Sequence, residues 1–268
     1  MTMQTIPYWH VDAFAAQPFG GNQAAVMILD EWPPDEVMAA IAAENMFAET
    51  AFLLRDASGE ADWELRWFTP EVEIALCGHA TLASGHVLLG QEGAGDAVTF
   101  RTRKAGVLEV ARDGDGYRMA LPAIHVDGEA DDALIAGLRA RPEEALADPR
   151  GYVIARYADE AALRALAPDM AQLASHGDTM FIATAPGDTT DVVSRVFVPG
   201  AGIPEDPVTG SAHSALTVFW AKRLGRESFT AHQASKRGGD MTCTLEGEKA
   251  VLGGHCVTVV EGRFYLSG

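Results

Sequence analysis

Basic residues are scarce in this chain. Its 268 residues hold 20 Lys and Arg against 38 Asp and Glu, a formal net charge of −18 at pH 7. That balance argues against a nucleic-acid partner, because such proteins carry a basic footprint to neutralise phosphates, and the short Lys/Arg clusters here form none. An acidic protein also repels anionic ligands at long range, although salt screens this beyond about 8–10 Å. An acidic ligand therefore needs dedicated local donors. Cysteine is equally sparse. Cys77, Cys243 and Cys256 make no disulfide framework, and an odd count leaves at least one thiol free. No apolar run reaches the length of an uncharged membrane span, and Met1 to Tyr8 lacks a basic stretch followed by an apolar one. The expectation is a reduced, cytoplasmic protein with no membrane partner.

Other signatures are missing too. No G-x-x-x-x-G-K-[ST] loop occurs, and no G-x-G-x-x-G links a strand to a helix, so nucleotide binding lacks support. Ser84, Ser175 and Ser214 lie outside any G-x-S-x-G elbow. No Cys or His pair has zinc-finger or H-E-x-x-H spacing, and His255 and Cys256, adjacent on a strand, point to opposite faces.

What is present is ordinary globular composition, 48% hydrophobic and 22% charged, with one junction that occurs twice. Leu76-Cys77-Gly78-His79-Ala80-Thr81 recurs in altered form as Thr209-Gly210-Ser211-Ala212-His213-Ser214. Each follows a strand-like run and opens a helix-like one. A helix start offers unpaired backbone N–H groups and the positive end of a dipole, which suits a carboxylate. The surroundings repeat as well. In the first half a helix over Asp35 to Glu44 precedes strands over Glu49–Leu54 and Leu65–Phe68, then a helix from His79 to Leu89 closed by Gly90. In the second, a helix over Asp159 to Leu173 precedes strands over Thr179–Thr184 and Val192–Val198, then a helix from Ser211 to Leu224 closed by Gly225. Strands are also expected over Tyr8–Ala15 and Ala24–Leu29, which flank the turn Pro18-Phe19-Gly20-Gly21-Asn22, and over Val98–Thr102, Val107–Arg112 and Tyr117–Leu121. Three short ones are expected between Met241 and Leu266. Sheets with few helices mark an α+β protein of two similar halves, residues 1–120 and 121–268, with the last strand free to return to the first half.

Four segments carry a family resemblance. Phe14 to Val26 with its Gly-Gly-Asn turn, Asn45 to Phe52 around Glu49, Leu76 to Leu82, and Glu205 to Ala212 together resemble the phenazine-biosynthesis PhzF-like family, whose fold is that of diaminopimelate epimerase. The resemblance spans almost the whole chain in order. It implies two pseudo-symmetric domains, each a curled mixed sheet around a central helix, with the active site in the cleft between them. It also implies a homodimer, a small carboxylated substrate, and chemistry without metal or organic cofactor. By resemblance Glu49 moves a proton between carbons, a task that calls for a base of raised pKa. His79 bonds the substrate or relays a proton as a neutral imidazole, its pKa tending downward at a helix start. Asp206 orients a polar group of the ligand. Gly78, Ala80, Gly210, Ser211, Ala212 and Asn22 bind substrate.

Cys77 and Thr209 bear on the mechanism. Related two-base epimerases place a cysteine before the glycine at each helix start, whereas here the second position is Thr209, whose hydroxyl is too weak an acid for the partner role. A single base, Glu49, is therefore expected, with Cys77 packing under its helix as a small apolar residue. A cysteine-assisted epimerase and a non-catalytic ligand-binding protein are the alternatives. His213 either narrows the pocket or points away from it.

Overall fold

A computed structural model describes residues 3–267. The chain is an α+β protein that divides into two compact units, one made of the residues up to Ala120 together with those from Gly253 onward, the other of Leu121–Leu252.

In the first unit, Asn22–Ile28 runs parallel to Glu49–Arg55, which is antiparallel to Trp63–Phe68. Trp63–Phe68 is parallel to Ala97–Thr102, which is antiparallel to Val107–Asp113. The second unit repeats the sequence of directions. Tyr152–Arg156 is parallel to Met180–Pro186, which is antiparallel to Val192–Val198. Val192–Val198 is parallel to Ser228–Gln233, which is antiparallel to Gly239–Glu246. In each unit the crossover between the third and fourth of these strands carries the long helix, Gly78–Leu89 or Gly210–Leu224. A parallel pair needs such a crossover, since a hairpin cannot join strands running the same way.

Both helices are buried nearly all round. In Gly78–Leu89 every residue but His86 is buried, as for a helix wrapped by a sheet. Its hydroxyls tolerate this because they bond within the helix, Thr81 Oγ1 donating to the Cys77 carbonyl at 2.6 Å and Ser84 Oγ to that of Ala80 at 2.7 Å. Gly85 lets the helix touch the Val107–Asp113 strand, since a Cβ there would lie 2.3 Å from Val110 Cγ1. Alanine is about 1 kcal/mol better than glycine inside a helix, but forced overpacking costs about 1–3 kcal/mol. Gly85→Ala is therefore expected to destabilise, and Gly85→Ala with Val110→Ala to recover part of the loss in urea unfolding. A gain in stability from the single change would show that the contact is slack.

Two expectations need correction. The helix over Asp159 to Leu173 is two short ones, Glu160–Arg164 and Met170–Ala174. Pro168 lacks an N–H and disfavours helical geometry at the residue before it, and Asp169 starts the chain afresh by accepting from the Gln172 N–H. The last of the three C-terminal strands is also long: Cys256–Ser267 pairs with Met3–Ala13 throughout, across a register shift at His10/Val11. Among the described residues, no helix is long and apolar enough to cross a membrane.

Candidate active site

Glu49 owes its position to a left-handed residue. Helix Asp35–Asn45 ends at Met46 (φ 55°), whose N–H returns to the Ala42 carbonyl. Asn45 Nδ2 donates to Thr50 Oγ1 at 3.0 Å, and Phe47 packs on the His10 ring. Glu49 thus becomes the first residue of its strand, opposite Ala24 on the parallel neighbour. That neighbour begins at Asn22, so both side chains stand at the same end of the sheet. The loop before Asn22 is held by the buried Asp12, which accepts the Phe19 N–H at 2.8 Å. It also requires Gly21: φ is +60°, and a Cβ would fall 2.1 Å from the Ala13 carbonyl oxygen.

The Gly78–Leu89 helix brings His79 to these two residues. Asn22 Nδ2 lies 3.2 Å from His79 Nδ1, and Glu49 Oε2 lies 3.0 Å from His79 Nε2. Asn22, Glu49 and His79 are 1%, 8% and 4% exposed. Glu49 Oε2 is a buried carboxylate oxygen to which, among the described residues, no donor makes a directed hydrogen bond. Its contact with His79 Nε2 is at ion-pair distance. A buried acceptor left in this state is costly, typically about 1–3 kcal/mol or more for a charge, and calls for a functional reason.

Cys77 does not pack passively under the helix. Its sulfur lies 3.6 Å from His79 Nδ1 and 3.9 Å from Nε2, so the sulfur, ring and Glu49 carboxylate form one cluster. Burial, with the nearby Glu49 charge adding to it, pushes the Cys77 thiol up to about 11, so it holds its proton at neutral pH. Burial by itself would lower the pKa of His79. The Cys77 sulfur and the Glu49 carboxylate outweigh it and hold the imidazole well above its ordinary value. At neutral pH the Glu49 charge is the operative cause, because the thiol is not ionised. This reverses the downward pull expected from the helix start: a carboxylate at 3.0 Å exceeds the field of one helix end, typically 0.3–1 kcal/mol.

The second unit presents the matching start. Cys77 and Thr209, each before its glycine, take extended backbone conformations and make no side-chain cap bond to their helices. The first N–H groups of these helices are those of Gly78 and Ala80 in one unit, where the Cys77 sulfur faces the Ala80 N–H, and those of Gly210, Ser211 and Ala212 in the other. Thr209 Oγ1 donates to Asp206 Oδ2 at 2.5 Å. Gln233, fully buried, accepts from the Thr209 N–H at 2.9 Å and donates to the Asp206 carbonyl at 2.6 Å. Gln233 escaped the sequence reading because one amide at a strand end carries no motif. Ser211 Oγ lies 3.9 Å from Met180 Sδ. His213 is a core residue. Its Nδ1 donates to the Thr209 carbonyl at 2.8 Å, Nε2 lies 3.3 Å from Ser194 Oγ, and it is fully buried. It braces the start of its helix from within.

Comparison with known proteins follows this geometry. The family model for phenazine biosynthesis-like proteins, PhzC-PhzF, matches residues 11–262. An uncharacterized isomerase of Pseudomonas aeruginosa is 43% identical, over 98% of this chain and 99% of its own. A PhzF-family crystal structure from Enterococcus faecalis superposes with a TM-score of 0.91 at 38% identity, covering 98% of this chain and 100% of that one. A hydroxyproline epimerase from Agrobacterium vitis, at 13% identity, shares the fold with a TM-score of 0.58 over 98% of this chain and 93% of its own.

Proposed function

Because the chain belongs to the phenazine biosynthesis-like family, we propose that it is an isomerase that moves a proton between carbons of a small carboxylated substrate, with Glu49 as the acid/base and no organic cofactor. The observation that carries this reading is the buried Glu49 carboxylate, with an oxygen that accepts no directed hydrogen bond beside a histidine held toward its charged form.

The roles follow from the chemistry. Glu49 takes a C–H proton, and the electron pair left on carbon spreads into the conjugated carboxylated system. The same carboxyl group returns the proton to a different carbon, so no atom is gained or lost. His79, whose pKa is held above its ordinary value by its neighbours, stabilises the negative charge that develops and bonds the substrate. Asn22 orients the ring from Nδ1. In the first unit the helix-start N–H groups of Gly78 and Ala80 suit a substrate carboxylate; in the second unit, taken by itself, those of Gly210, Ser211 and Ala212 suit a polar group in the same way. Asp206, oriented by Thr209, positions a polar substituent.

Proton NMR in D₂O with a panel of small cyclic and amino acids tests the reading. The wild-type protein is expected to place deuterium at a C–H position of at least one compound. A compound that binds tightly yet never exchanges would instead indicate a ligand-binding protein.

The contact of Cys77 with His79 favours one second reading, a thiol-assisted epimerase. The Cys77→Ala variant separates the two. With Glu49 as the base, deuterium exchange stays within a few-fold of wild type. With Cys77 as an essential acid/base it falls by about 10²–10⁴-fold.

A further inference from the structure

Three side chains of the first unit have a use that proton transfer does not require. We propose that Cys77, His79 and Glu49 form a binding site for one thiophilic divalent cation, with zinc as the type case.

A soft sulfur, an imidazole nitrogen and a carboxylate oxygen are the donor types zinc selects. Here Cys77 Sγ, a His79 ring nitrogen and a Glu49 oxygen lie within 4.8 Å of one another, all on buried residues. Zinc bonds of about 2.0–2.3 Å in a tetrahedron set donor atoms about 3.3–3.6 Å apart. The observed separations, 3.0 Å from His79 Nε2 to Glu49 Oε2 and 3.9 Å from Nε2 to Cys77 Sγ, lie on either side of that range.

The second observation is independent of the clustering. Glu49 Oε2 is buried and accepts no directed hydrogen bond, so its lone pairs are available inside the cluster. Asn22 stands at Nδ1 of the same ring, leaving Nε2 for the metal and fixing the plane of the imidazole. Cys77 immediately precedes a buried helix and His79 lies in its first turn, so two of the three donors sit on rigid backbone. Binding releases the Cys77 thiol proton, and any proton on His79 Nε2, to solvent; the thiolate and carboxylate that remain balance the charge of a divalent ion, so burying the complex leaves no net charge. Three protein donors leave a fourth position for water.

Binding does not depend on the proton-transfer reading. Its consequence does: a cation held here would occupy Glu49 and His79 together and act as a reversible inhibitor, not a cofactor.

The test uses the full chain without an affinity tag, freed of metal by chelation and titrated with cobalt(II). The expected result is a thiolate-to-cobalt charge-transfer band with the intense visible bands of tetrahedral cobalt, saturating at one equivalent and bleached by zinc. Cys77→Ala is expected to lose the charge-transfer band and to weaken zinc binding by more than about 100-fold, beyond what loss of a supporting residue gives, measured against a chromophoric chelator. Cys77→Ser should behave alike, and Cys256→Ala should bind as wild type. Absence of the thiolate band, or its survival in well-folded Cys77→Ala, overturns the proposal. Deuterium exchange measured in chelator reports on proton transfer separately, so either reading can fail without the other.

Discussion

Glu49→Gln is expected to lower deuterium exchange by about 10²–10⁴-fold, the usual contribution of a positioned acid/base, while substrate binding changes by a few-fold at most. Glutamine keeps the shape and one carbonyl oxygen, so the strand opening at Glu49 and its pairing with Ala24 should survive. It removes the negative charge and the ability to hold a transferred proton. A further effect is predicted at His79. With the carboxylate gone, the main cause holding the imidazole up at neutral pH is lost while burial continues to push it down. The His79 ring signals should therefore titrate at lower pH in Glu49→Gln than in wild type. Exchange within tenfold (about 1.4 kcal/mol) of wild type, with His79 titrating as before, would rule out Glu49 as the base.

The second large effect is on stability in mild acid. His213 is fully buried, and burial brings its pKa down to about 4 despite the bond to the Thr209 carbonyl, with His232 lowering it further. In the unfolded chain a histidine titrates near about 6.5. Between those values the unfolded state binds the proton and the native state does not, so stability rises with pH there. Its contribution is complete above about pH 6.5 and is lost as pH falls toward 4, a change of about 3 kcal/mol. His79 acts in another window. Its folded pKa is raised, so its stabilisation is present below about 6.5 and is lost as pH rises through the higher folded value. Urea unfolding at several pH values between 4 and 7 should show the acid slope in wild type and a shallower one in His213→Gln. Equal slopes would mean that His213 is not the group responsible.

Much of the fold was legible because local chemistry and tertiary structure agree along most of the chain. The strand Val192–Val198 has the bounds its β-branched run implies, and the two long helices start at Gly78 and Gly210, one residue before the expected His79 and Ser211. Reading failed where one residue changes the geometry. Pro168 splits a helix whose apolar spacing looked continuous. Tyr152–Arg156 gave no separate signal in a short apolar run, and it is a central strand of its unit. Phe19 and Met46 take positive φ without being glycine, and no propensity marks them, yet they shape the approaches to Asn22 and Glu49.

The amino-acid sequence by itself determined the α+β class, the repeated order of elements and the family, because hydrophobic period, glycine punctuation and ordered motifs are properties of neighbours along the chain. It also supplied Asn22, Glu49 and His79 as candidates. Tertiary structure decided what those residues do to one another. Only pairing of the Asn22 and Glu49 strands against the helix start places a carboxylate 3.0 Å from His79 Nε2 and brings Cys77 into the same cluster. In the second unit, packing of its own encloses His213 and sets Gln233 between Asp206 and Thr209. Charge interactions and desolvation act through space, over a few ångströms and in whatever medium the fold provides. Residues 49 and 79 therefore acquire their electrostatic relation only when the sheet closes around the helix.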